Sequence, residues 1–145
     1  MRIVLQRVKH AAVVVDNEVV GKISRGLLLL VGAQKGDTVK QAEYLAEKCV
    51  GLRIFEDDND KMNLALKDVS GEALVVSQFT LCADISKGRR PSFANAMPPD
   101  EAEALYEKFC SFITAKGVNI QTGRFAAKMA VELTNDGPVT IILEN

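Results

Sequence analysis

Apolar positions along the chain follow two periods, and the switches between them mark its elements. Ile3 to Val8 and Ala11 to Val15 are rich in β-branched residues and read as strands. Asp16-Asn17 is a turn pair, after which Glu18 to Ile23 returns to form a hairpin. Gly26 bounds the apolar run Leu27 to Val31, the pattern of a strand buried on both faces. From Thr38 to Val50 the spacing becomes helical: Asp37 can cap a helix that places Val39, Ala42, Ala46, Cys49 and Val50 on one face. Leu52 to Phe55 reads as a short strand, and Glu72 to Val76 as another that runs into Ser77-Gln78-Phe79-Thr80-Leu81. Pro98-Pro99-Asp100-Glu101 opens a second helix, with proline in the first turn and acids at the positive dipole end. Ala102, Leu105, Phe109, Phe112 and Ile113 keep its period, and Gly117 stops it. Strands follow near Val118 to Gln121, Met129 to Leu133 and Val139 to Leu143, with Asn135-Asp136-Gly137-Pro138 as a tight turn between the last two. About eight strands with only two long helices leave too few helices for a βαβ pattern. The fold class expected is α+β: a single domain, residues 1–145, with a mostly antiparallel, barrel-like sheet.

Composition narrows the function. A chain of 145 residues, 48% hydrophobic and 26% charged, can bury one core without a metal or disulfide staple. The longest apolar run is too short to span a bilayer. Gln6, Arg7 and Lys9 interrupt the opening apolar residues, so no signal-peptide core forms and a cytoplasmic protein is expected. Three cysteines (Cys49, Cys82, Cys110) without a C-x-x-C pair argue against a disulfide framework and a zinc knuckle. The net charge of −1 gives no global attraction to nucleic acid, so such a partner needs a local basic patch. His10 is the only histidine. Any Ser-His-Asp or Cys-His site must use it, and most zinc or non-haem iron sites need more imidazoles than one. Neither metal nor cofactor is expected, and the base of any enzyme here is expected to be something other than imidazole.

Few motifs carry chemistry. Glu56-Asp57-Asp58-Asn59-Asp60 lacks the glycine and terminal glutamate of a calcium loop and reads as a solvated hairpin turn. Gly32-x-x-x-Gly36 lacks the Gly-Lys-Ser/Thr ending of a phosphate loop. Cys82 has no evident base beside it and reads as a buried, inert thiol. Lys87-Gly88-Arg89-Arg90-Pro91 is the one dense basic cluster: either a solvated loop or a phosphate contact beside a pocket. Ser77-Gln78-Phe79-Thr80 offers two hydroxyls, an amide and an aromatic face at a strand end. It can present backbone N–H groups to an oxyanion, or its hydroxyls can cap its own backbone. Gly137-Pro138 is either a plain hairpin loop or a cis bond, since X-Pro costs only about 0.5–1 kcal/mol to hold cis.

Several segments together resemble one family. They are Gln6-Arg7-Val8, Gly26-Leu27-Leu28, Leu52-Arg53-Ile54-Phe55, Lys61-Met62-Asn63-Leu64, Val76-Ser77-Gln78-Phe79-Thr80-Leu81, Lys87-Gly88-Arg89-Arg90-Pro91-Ser92-Phe93, Thr122-Gly123-x-Phe125 and Asn135-Asp136-Gly137-Pro138-Val139-Thr140. From Met1 to about Leu143 the chain resembles the D-aminoacyl-tRNA deacylases. It departs from them at Ala126-Ala127-Lys128-Met129, with lysine where aspartate is expected and Ala126 where glycine is frequent.

The resemblance implies a homodimer of barrel-like subunits that hydrolyses the ester between a D-amino acid and the 3′-terminal adenosine of tRNA. It implies a pocket formed by Ser77, Gln78, Phe79 and Thr80, with Phe125 and Met129 nearby. A cis Gly137-Pro138 turn would enter the partner's pocket and reject L-amino acids, glycine escaping for lack of a side chain, and Arg7 would brace that turn of the partner chain. Lys87, Arg89 and Arg90 would meet tRNA phosphates. With no base in view for Thr80, the ester's own neighbouring 2′-hydroxyl suits this composition better than a threonine nucleophile does. A threonine-nucleophile esterase and a non-catalytic tRNA-binding module remain the rival readings.

Overall fold

A computed structural model describes residues 1–145. Its elements run β1 (Arg2–Val15), β2 (Glu18–Ile23), β3 (Gly26–Gly32), α1 (Val39–Gly51), β4 (Phe55–Glu56), β5 (Met62–Leu64), β6 (Glu72–Ser77), a 3₁₀ turn (Phe79–Cys82), α2 (Pro99–Ala115), β7 (Ile120–Thr122) and β8 (Ala130–Glu144). The main sheet has the order β2-β1-β3-β6-β7, with β8 also paired to β1. Contacts of β1 with β2, β3 and β8 are antiparallel, whereas β6 pairs in parallel with both β3 and β7. The sheet is thus mixed and barrel-like, and it nearly closes where β2 nears β7. A β-carbon at Gly21 would lie 2.4 Å from the Thr122 carbonyl oxygen, so this close approach requires glycine.

One face of the sheet carries the helices. From α1, Ala42, Leu45, Ala46, Cys49 and Val50 are buried, and from α2 Leu105, Tyr106, Phe109, Cys110 and Ile113. They pack with Ile3, Leu5, Leu27, Leu29 and Phe55 into the larger core. The other face curls over Val8, Ala11, Val13, Ile23, Leu28, Leu74 and Val76. Leu27, Leu28 and Leu29 are buried because β3 is central and covered on both sides. Each such side chain contributes on the order of 1.5–3 kcal/mol.

Several sequence expectations change. The two N-terminal strands are one, since Lys9 and His10 break the apolar pattern only by facing solvent. Thr38 rather than Asp37 caps α1: its N–H donates to Gln41 Oε1 at 2.7 Å, and Val39 is about half exposed. The strand expected over Leu52 to Phe55 shrinks to Phe55–Glu56 and pairs with the unforeseen Met62–Leu64. The acidic run between them is the expected turn. Asp57 accepts bonds from the Asn63 side chain and the Asn59 and Lys61 amides, which hold its carboxyl below the usual range.

The largest correction concerns Asn135-Asp136-Gly137-Pro138. It is no turn between two strands, because both flanking halves pair with β1. Gln6 faces Thr140 and Val8 faces Asn135, so two steps along β1 correspond to five along β8. The surplus residues form a bulge in one continuous strand.

Candidate functional site

A cavity of about 690 Å³ opens at the end of β6. That is within the usual range for a small-ligand site. Ser77, Gln78 and Phe79 form one wall, Phe125, Ala126, Ala127 and Met129 a second, and Met97, Pro98, Pro99, Ala102 and Tyr106 a third. The lining is mainly apolar, suited to flat rings and aliphatic groups with a few polar contacts for orientation.

The wall at Ser77–Thr80 arises because β6 cannot continue. Gln78 N–H still bonds the Val31 carbonyl at 2.8 Å, and the chain then tightens into the 3₁₀ turn. Leu81 and Ala83 spend their amides on the carbonyls of Gln78 and Thr80, while the amides of Phe79 and Thr80 have no intrachain partner. Gln78 donates its side-chain amide to Thr80 Oγ1. Thr80 itself is exposed and stands next to the cavity lining rather than in it. Phe79 is exposed and meets Phe93 edge-on, ring centres 5.0 Å apart.

No general base stands by the Thr80 hydroxyl. His10 lies on the β1–β8 ladder, where its Nε2 and Thr134 Oγ1 are 2.9 Å apart. Cys82 is buried with Sγ donating to the Ala33 carbonyl, and burial, then the charge of Asp37, push its thiol up. Burial raises Cys49 to about 12 and Cys110 to about 11, so neither offers a thiolate. No cluster of three or more His, Cys, Asp or Glu side chains could hold a metal, and no helix is long and apolar enough to cross a membrane.

Gly137 and Pro138 do not line this cavity; they sit exposed at the β8 bulge, and the peptide joining them is cis. Arg7 is 4% exposed and lies under the same bulge. Its Nε donates to the Asp136 carbonyl at 2.9 Å and its Nη1 to the Ile54 carbonyl at 2.6 Å. Arg7 therefore braces the bulge of its own chain, where the expectation had been the partner's, and it stands outside its own cavity. Lys87, Arg89 and Arg90 occupy an exposed loop tied at its base by paired backbone bonds between Asp84 and Ser92. That loop leads directly to Phe93 at the cavity. Lys128 is exposed and forms no ion pair.

Tyr106 was missed as a site residue. Its hydroxyl donates to the Val75 carbonyl at 2.8 Å and its ring packs beside Phe125. The 102-106-109-113 spacing on α2 carried that signal. Lys35 and the 97–99 segment gave none, because only tertiary pairing brings them to the cavity: Met97 N–H bonds the Ala33 carbonyl and Lys35 N–H the Asn95 carbonyl.

Comparison with known proteins decides the family. Residues 4–144 match the family model described as D-Tyr-tRNA(Tyr) deacylase. The chain belongs to this family. Among curated relatives it is 55% identical to a D-aminoacyl-tRNA deacylase of Thermotoga petrophila, over 100% of this chain and 97% of that one. It is 58% identical to that of Exiguobacterium sp., over 99% and 98%. A solved c-Myc DNA unwinding element binding protein superposes with a TM-score of 0.94 at 41% identity, covering 100% and 99%. A probable eukaryotic D-amino acid tRNA deacylase shares the fold, with a TM-score of 0.81 at 20% identity over 98% and 97%. The activity of this family member is that of a D-aminoacyl-tRNA deacylase, a hydrolase acting on an ester bond.

Proposed function

We propose that the cavity takes the 3′-terminal adenosine and D-aminoacyl group of a tRNA. The Gly137-Pro138 bulge of a second copy of the chain would complete it, in the cytoplasm. One observation carries this reading: a braced, exposed bulge stands outside its own chain's cavity, and no imidazole, carboxylate or thiol lines that cavity. The bulge is thus available to another subunit's cavity, and the chemistry is left to the substrate. The 2′-hydroxyl beside the ester carbonyl, held at high effective molarity, assists the attack of water. The free amides of Phe79 and Thr80 stabilise the oxyanion, and Ser77 and Gln78 hold the adenosine and carbonyl.

Discrimination then comes from main-chain atoms that cannot swing aside. An L side chain would run into the partner's Gly-Pro backbone, whereas a D side chain points to open space. Glycyl-tRNA has nothing to clash and is hydrolysed as well, including glycine mischarged on an alanine tRNA. Lys87, Arg89 and Arg90 would hold phosphates farther along the tRNA. No metal or cofactor enters any step.

The deciding experiment is deacylation of labelled D-tyrosyl-, glycyl- and L-alanyl-tRNA by wild type and Thr80→Ala. Wild type should release D-tyrosine and glycine and spare L-alanine, with Thr80→Ala retaining activity to within about tenfold. A loss of about 10⁴-fold, the scale of a missing nucleophile, would instead establish a threonine esterase. Binding without release would mark a tRNA-binding module. Glycyl-tRNA as resistant as L-alanyl-tRNA would mean positive recognition of the D side chain.

A further inference from the structure

Among the residues that line the cavity, Lys35 carries the only charged side chain, and it also lines a second, wholly polar groove of about 370 Å³. Gln34, Asp37, Gln41 and Asn95 share that groove. Lys87, Arg89 and Arg90 line neither. Asp37 does not neutralise Lys35, because its carboxylate is taken by the Met1 ammonium and by the Gln34 N–H at 2.6 Å. Gln41 Oε1 accepts from Thr38, which leaves its amide nitrogen free to donate. The lysine is the one residue that borders both the apolar chamber and the polar groove, and its own side chain has no ion-pair partner.

We propose that Lys35 is a positioning residue for the phosphodiester on the 5′ side of the terminal adenosine. The preceding nucleotide then lies in the groove against the amides of Gln34, Gln41 and Asn95. This rests on the cavity holding that adenosine. A nucleic acid whose last nucleoside fills the apolar chamber must leave it by some path. The groove shares with the chamber its sole cationic side chain and offers donors and acceptors in place of apolar wall, as a nucleobase edge requires. The basic loop at residues 87–90 would act farther along the strand.

Two minimal substrates isolate the effect: a D-aminoacyl adenosine, and the same ester on a dinucleotide with one phosphodiester. Wild type should prefer the dinucleotide by about tenfold in kcat/KM, through KM. Lys35→Ala should erase that preference and Lys35→Arg should keep it. With whole D-aminoacyl-tRNA, Lys35→Ala should lower the slope of log KM against log salt by about 0.7, the value for one phosphate contact on a single strand. The backbone bond from Lys35 to Asn95 survives truncation, so the variant is expected to fold. A wild type without preference for the dinucleotide, or a Lys35→Ala variant that keeps it, overturns the assignment and leaves the deacylase reading intact. Failure of wild type to cleave either ester while leaving L-esters untouched as well would strike that reading itself, and this assignment with it.

Discussion

At Ser77–Cys82 the main chain leaves β6 in a short turn whose Phe79 and Thr80 amides stay unspent; at Asn135–Val139 β8 bulges, and the Asn135 side chain, the Asp136 carbonyl and the Val139 backbone are engaged. Val139 N–H donates to Asn135 Oδ1 at 2.8 Å, Asn135 Nδ2 donates to the Val139 carbonyl at 3.3 Å, and Arg7 holds the Asp136 carbonyl. The turn lines its own cavity, and the bulge stands outside it. A surface bulge gains little from a nearly buried arginine beneath it, because solvent would satisfy the same carbonyls. Fixing it makes sense for a rigid part that acts outside its own subunit, while free amides make sense for a part that meets the substrate directly.

The comparison breaks most completely if the bulge serves no other subunit. If a second copy completes the cavity, activity requires a dimer, so dilution until the copies separate should abolish deacylation, followed by light scattering and turnover on the same samples. An active monomer would refute the shared site. Arg7→Ala probes the brace. It leaves the buried Ile54 carbonyl without its donor while solvent takes over the Asp136 carbonyl, so a loss of about 1–3 kcal/mol in denaturant melts is expected. In the fraction that stays folded, L-alanyl-tRNA should be cleaved at least about tenfold faster than by wild type while D-tyrosyl-tRNA is cleaved at a similar rate. Equal slowing of both would mean that the brace serves stability alone.

Much of this was legible in the sequence because local pattern and tertiary position agree. Leu27 to Val31, the apolar stripe of α2 and the acidic turn after Phe55 each follow from a few neighbouring residues. The bulge did not. Asn-Asp-Gly-Pro has the composition of a tight turn, and only pairing of both flanks with one distant strand makes it an interruption instead. Arg7 was legible as a residue of the family pattern but not in its contacts, since Ile54 and Asp136 lie 47 and 129 residues away from it in the chain. Lys35 was invisible for a related reason: a single lysine in a Gln-Lys-Gly-Asp loop means nothing until the 93–97 segment folds beside it.

A smaller effect separates the cavity from its surroundings. Neutralising Lys87, Arg89 and Arg90 together removes up to three phosphate contacts, so tRNA affinity should fall and its salt slope should flatten by about two units. Turnover of D-aminoacyl adenosine, which carries no phosphate, should stay as in wild type, because none of the three lines the cavity. Unchanged tRNA binding across a salt titration would make the cluster a solvated loop.

The smallest expected effect concerns the two positive-φ residues of the bulge and the cavity wall. Gly137 has φ +135°, and a β-carbon there would meet Val139 Cγ2 at 2.8 Å and Arg7 Nη2 at 3.0 Å, so glycine is required. Ala126 has φ +57°, a left-handed position that an L-residue occupies at a cost of about 1 kcal/mol. The resemblance leads glycine to be expected at this position, and the positive φ is a physical reason for one. Ala126→Gly should relieve that cost. It also frees the unfolded chain, which returns about 0.4–1 kcal/mol of the gain. The net is a stabilisation of a few tenths of a kcal/mol, read as a small rise in Tm. Since Ala126 also lines the cavity, the same variant widens the wall by one methyl group without touching the Phe79 and Thr80 amides. Turnover of D-tyrosyl-tRNA should therefore change by less than about twofold. A lowered Tm would mean that the Ala126 methyl packs against the wall more favourably than its backbone geometry costs, and that this wall, like the bulge, is held by side-chain contacts.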